Sequence, residues 1–87
     1  MARVVLIITD GELPVCRSAE WTSVPRKGEQ VSVPGARHVP PYLRTVTSVV
    51  WHDDGSAHVF LDGWIDGNLS DMLIRRHQWS RYEASPS

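Results

Sequence analysis

The chain is poor in the residues that mark specialised scaffolds. It has one cysteine, Cys16, in 87 residues. An intramolecular disulfide is impossible, which excludes a disulfide-stapled secreted domain. A lone cysteine is most often a small buried hydrophobe, and nothing local to Cys16 nominates a base that would make it a nucleophile. Long apolar runs are also missing. The N-terminal run, Val4-Val5-Leu6-Ile7-Ile8, ends at Thr9-Asp10-Gly11. A signal peptide needs about 7–15 apolar residues and a membrane helix about 20, so the expectation is a soluble, cytoplasmic protein. Charge of one sign is not in excess either. Nine basic and ten acidic residues leave a net charge of −1, with no global field to draw nucleic acid or a membrane.

The signatures of common chemistries are lacking as well. There is no G-x-S-x-G elbow, no G-x-G-x-x-G or G-x-x-x-x-G-K-[ST] phosphate loop, and no C-x-x-C or H-x-x-x-H element. No cofactor and no metal ligand set is therefore expected, and an enzyme ranks last among the function classes.

What is present fits one small domain over residues 1–82 with a frayed tail at 83–87. A chain this short buries roughly 60–65% of its unfolded surface, so its core is thin. Four tryptophans are many for such a core, and some are expected at the surface.

The apolar pattern reads mostly as strand. Val4–Ile8 is β-branched and continuous, as in a strand buried on both faces. Asp10-Gly11 signals a turn, and Leu13–Cys16 is expected to return as an edge strand because Pro14 lacks an N–H. Residues 17–29 read as a loop, with a turn at Arg26-Lys27-Gly28. Gln30–Val33 alternates as a half-buried strand does, and Pro34-Gly35 ends it. Residues 36–42, with two consecutive prolines, read as a second loop. Leu43–Trp51 is the longest strand candidate. It carries apolar groups on both parities, which predicts a bend or a bulge. Asp53-Asp54-Gly55 is a hairpin turn leading into His58–Leu61. Asn68 as N-cap, Asp71 three residues on, and a stripe of Leu69, Met72, Leu73 and Trp79 predict a short helix over 69–79.

The expected fold is therefore all-β, or β-rich α+β: a small barrel or curled antiparallel sheet of about five strands with one short C-terminal helix. The segment Val24-Pro25-Arg26-Lys27-Gly28-Glu29-Gln30-Val31-Ser32-Val33, followed by the hairpin at Asp53-Asp54-Gly55, resembles small SH3-like barrels and small β-proteins of bacterial and phage genomes. The resemblance covers about residues 24–62 and implies a barrel. It carries over no functional residue.

Candidate sites are sparse. His52 and His58 flank the hairpin turn. In one register they face each other about 5 Å apart, where Asp53 or Asp54 could complete a metal site. In another, Trp51 opposes His58 and the two imidazoles point to opposite faces. Asp53, Asp54, Asp62 and Asp66 read as turn and cap residues. Arg75, Arg76, His77, Trp79, Arg81 and Tyr82 form a basic-aromatic cluster suited to phosphate pairing and base stacking. A sequence pI of about 6.4 argues against a nucleic-acid domain, whose value usually exceeds about 9.

Trp and Arg are also the residues that anchor protein interfaces. The first reading is thus a non-enzymatic interaction module that binds a protein partner or itself through Trp51, Trp64, Arg37, Arg44, Arg75 and Arg76. The alternative is a nucleic-acid binder using Arg37, Arg44, Arg75 and Arg76.

Overall fold

A computed structural model describes residues 2–33 and 42–82. Six strands and one helix follow the order β1 (Ala2–Ile8), β2 (Val15–Trp21), β3 (Gln30–Val33), β4 (Tyr42–Trp51), β5 (Ala57–Leu61), α1 (Gly67–Arg76) and β6 (Ser80–Arg81). The strands form one curled, half-barrel sheet in the order β3-β4-β5-β1-β2-β6. Strand-rich architecture with one short helix is as the sequence predicts. The strict antiparallel expectation is corrected at one place: β1 and β5 run parallel, with Val4 opposite Ala57 and Ile8 opposite Leu61. The expectations for Pro34-Gly35, for the loop up to residue 41, for Arg37 and His38, and for the tail at 83–87 lie outside the described residues.

β1 is flanked by β2 and β5, and its unbroken apolar run has buried residues on both faces. Val4, Leu6 and Ile8 face the main core with Val15, Val46, Val59 and Leu61. Ile7 is fully buried on the other face, level with Cys16 and Phe60 in the neighbouring strands.

The turn after β1 is not a tight hairpin. Ile8 pairs with Val15, so residues 9–14 form the connection, and they are stitched to the segment before α1. Ile65 donates its N–H to the Asp10 carbonyl at 2.9 Å, and Glu12 donates to the Ile65 carbonyl at 3.0 Å. A Cβ on Gly11 would overlap the Ile65 carbonyl. Pro14 precedes β2, where its missing N–H leaves no gap in the ladder. β2 itself extends to Trp21, which corrects the loop expected from residue 17. Arg17-Ser18-Ala19-Glu20 contains no chain breaker, and seven paired positions along β1 supply its hydrogen bonds. Pairing across the sheet overrides a weak local preference. Two-residue β6 was not expected. It covers β2 only at Val15 and Cys16.

β3 and β5 occupy the expected segments, and β3 shows the expected alternation, with Val31 and Val33 buried between exposed Gln30 and Ser32. The irregularity predicted in β4 is real. The register slips between Val46 and Ser48. Before the bulge, Arg44 and Val46 face the core. After it, Val49 and Trp51 lie on that side, opposite Val59 and Ala57.

The helix starts earlier than Asn68. Asp66 is the N-cap, and its carboxylate accepts from the Leu69 N–H at 2.7 Å. Asp71 instead pairs with Arg75 one turn on, at 3.1 Å. The helix ends at Arg76, and Gln78 adopts φ 63°. Trp79 therefore belongs to the chain after the helix and not to its stripe, although it does reach the core, at 3% exposure. Leu69, Met72, Leu73 and Ile74 pack α1 on the apolar cluster. Among the described residues, no helix is long and apolar enough to cross a membrane.

Candidate functional site

The concave face of the half-barrel has two ends. α1 follows the end marked by Ile8 and Leu61. At the other end lies an open cleft of about 890 Å³. One wall is the outer half of β4, with Thr47, Ser48, Val49 and Trp51. The other is the crossover from β2 to β3, which contributes residues 22–27 and Glu29. Ala2 of β1 lies at the base of the concave face.

The crossover is held in place by the sheet. The Gly28 N–H donates to the Val46 carbonyl at 2.9 Å, and the Val46 N–H donates to the Glu29 carbonyl at 2.8 Å. The turn read at Arg26-Lys27-Gly28 is formed: the Glu29 N–H reaches the Arg26 carbonyl, and the Glu29 carboxylate accepts from the Arg26 N–H at 2.6 Å. Val24 anchors the crossover to the apolar cluster, as does half-buried Trp21 at the end of β2. This leaves Arg26 and Lys27 exposed on the rim. Among the described residues the one ion pair is Arg75–Asp71, and the exposed Glu29 carboxylate lines the same cleft as the two cations.

Trp51 stands at the mouth of the cleft with 61% of its surface exposed. Its neighbour on the same side, Val49, is half-buried against the core. Trp64 is exposed too, at 67%, but in a separate concavity of about 320 Å³ beside Tyr42 and Leu43.

The other expected surface residues do not gather around Trp51. Arg44 is a correction. It is 6% exposed, and its guanidinium points inward to tie down the segment after β5, donating to the Asp62 carbonyl at 3.0 Å and the Trp64 carbonyl at 3.4 Å. Burial lowers its pKa, partly offset by the Asp62 carboxylate. Asp62 in turn accepts from the Thr45 N–H at 2.8 Å. Thus Asp62 and Asp66 hold turns and a cap, the roles expected of them. Arg75 and Arg76 sit on the exposed face of α1 and line a third concavity. Phe60 lies on the opposite side of the sheet from Trp51.

The histidines follow neither expected register. Val50 pairs with His58 and Trp51 with Ala57, while the His52 N–H donates to the Ser56 carbonyl at 2.9 Å. His52 and His58 are therefore diagonal neighbours on one face, with ring centroids 4.0 Å apart and tilted by 50°. Asp54 closes the turn, accepting from the Ser56 N–H at 2.9 Å and its hydroxyl at 2.6 Å. Burial and the neighbouring His52 push the His58 pKa down, and Asp54 opposes them. Burial raises the Cys16 thiol. Among the described residues, no group of three or more His, Cys, Asp or Glu side chains could hold a metal ion.

The crossover wall was missed in the sequence. The turn at residues 26–28 was visible, but its position opposite Trp51 depends on the curl of the sheet. Comparison with protein-family models, with curated proteins and with solved structures finds no match to this chain.

Proposed function

We propose that this chain is a non-enzymatic protein-interaction module, and that its binding surface is the cleft between the outer half of β4 and the β2–β3 crossover. One observation carries the reading: Trp51 is largely exposed on the concave side of a strand paired with β5, at the mouth of an open cleft. A large aromatic held by rigid backbone is a typical interface anchor, because little conformational entropy is lost when it is covered. Val49 adds apolar surface beside Trp51, and Arg26 and Lys27 outnumber Glu29 among the charged residues of the crossover wall.

Nucleic-acid binding is the weaker reading. Arg44 is committed to internal carbonyls, and Arg75 and Arg76 line a different concavity from Trp51. The cations near Trp51 are instead Arg26 and Lys27.

The test is selection of random dodecapeptides displayed against the intact protein, with counter-selection on the folded Trp51→Ala variant. Enriched peptides that need Trp51 support the reading. No enrichment, or enrichment indifferent to the substitution, overturns it. In parallel, tryptophan emission is followed on addition of a mixed-sequence oligonucleotide. The expected result is no change. Quenching that is reversed by salt would move the assignment to nucleic acid.

A further inference from the structure

β4 is much longer than the strand beside it. β3 pairs with Tyr42–Thr45, and Gly28 and Glu29 add two bonds at Val46. The remaining residues, Thr47–Trp51, have β5 as their one strand partner among the described residues.

The free side of this stretch carries main-chain hydrogen-bonding groups. In an antiparallel ladder successive residues direct their N–H and C=O alternately to the two neighbours. His52 bonds toward β5 through Ser56, so Val50 also bonds toward β5, and Trp51 and Val49 point their main-chain groups the other way. That is the side on which Gly28 and Glu29 bond Val46, toward the crossover that forms the other wall of the cleft. An open edge invites another strand unless it is blunted by charge, proline or extreme shortness. Thr47-Ser48-Val49-Val50-Trp51 has no charged residue and no proline, and β-branched and aromatic side chains favour pairing. The crossover runs beside this edge as the other wall of the cleft. A single extended chain matches the five-residue length of this edge.

Resting on the interaction reading above, we propose that the partner is an extended peptide segment that adds to the sheet beside Thr47–Trp51. Its main chain bonds to the N–H and C=O groups of Val49 and Trp51. An apolar side chain covers Trp51 and Val49, and an acidic residue meets Arg26 and Lys27 at the rim. The available edge is about 17 Å long, from five residues at about 3.3–3.4 Å each.

The probes are the Trp51-dependent dodecapeptides from the selection, resynthesised with one backbone N-methyl group at a time. N-methylation removes a single donor and leaves the side chains in place. The expected outcome has a period of two: alternate positions lose about tenfold in affinity, as the loss of one such hydrogen bond implies, and intervening positions change little. Peptide binding should also slow amide exchange at Val49 and Trp51. Peptides that need Trp51 but show no such periodicity overturn strand addition and leave the interaction reading standing. A library without any Trp51-dependent binder overturns both. A dimer of the free protein that Trp51→Ala dissociates overturns the proposal in favour of a second copy as the occupant.

Discussion

Arg44 and Trp51 share one strand and have opposite fates. Both were read as surface binding residues. Arg44 instead replaces missing main-chain partners: its two terminal nitrogens satisfy the carbonyls of Asp62 and Trp64. Arg44→Met is expected to leave both carbonyls unpaired and to cost about 1–3 kcal/mol, read from the urea midpoint. Trp51→Ala should cost no more than about 0.5 kcal/mol, as exposed substitutions do, while abolishing peptide binding. Trp79 gives the contrast. It is buried, and Trp79→Ala is expected to cost about 3–5 kcal/mol, a large share of the stability of a domain this small. Equal costs for the two tryptophans would contradict the placement of Trp51 outside the core. Gly11 is intolerant for a different reason. A Cβ there meets the Ile65 carbonyl, so Gly11→Ala must push apart the stitch between residues 9–14 and the start of α1, and a lowered thermal midpoint is expected.

At the scale of the element, β4 does two jobs on either side of its bulge. Its first half pairs on both sides and holds the Arg44 anchor. Its second half pairs on one side and opens into the cleft. Hydrogen exchange on the free protein checks this directly. The amides of Val50 and His52, bonded toward β5, are expected to be protected, and those of Val49 and Trp51 to exchange much faster. Uniform protection along Thr47–Trp51 would mean that the edge is already covered. The helix offers a second check. Asp66 caps it through the Leu69 N–H, so Asp66→Ala should cost about 0.5–2 kcal/mol, whereas Asn68→Ala should be nearly neutral.

At the scale of the whole molecule, stability should depend on pH through His58. Burial and His52 hold its folded pKa below the ordinary value, which is about 6.5 in an unfolded chain. The unfolded state then binds more protons in that window. The stabilisation is fully present above about pH 6.5 and declines as pH falls through the folded pKa. Urea midpoints measured between about pH 8 and pH 5 should fall for the wild type and fall less for His58→Gln. An unchanged slope in the variant would remove His58 as the cause.

Much of the β architecture could be read locally, because strand patterning, Gly-containing turns and apolar alternation are properties of neighbouring residues. Val4–Ile8, Gln30–Val33 and the turns at residues 26–28 and 53–55 carried their own signals. Even the β4 bulge was visible, as apolar groups on both parities of one strand. What the chain could not announce by itself was every feature created by distant pairing. The extension of β2 to Trp21 comes from its match with β1. The parallel β1–β5 neighbourhood joins residues some fifty positions apart. The bridge between Gly11 and Ile65 likewise joins distant residues. Arg44 could not be told from a surface arginine, because the carbonyls it satisfies arrive with the segment after β5. The cleft opposite Trp51 belongs to the same class: local sequence determined a strand ending in Trp51 and a turn at Arg26-Lys27-Gly28, whereas the exposure of Trp51 and its place across from that turn were set only by the curl of the sheet, because the unequal lengths of β3 and β4 leave an edge that no local pattern encodes.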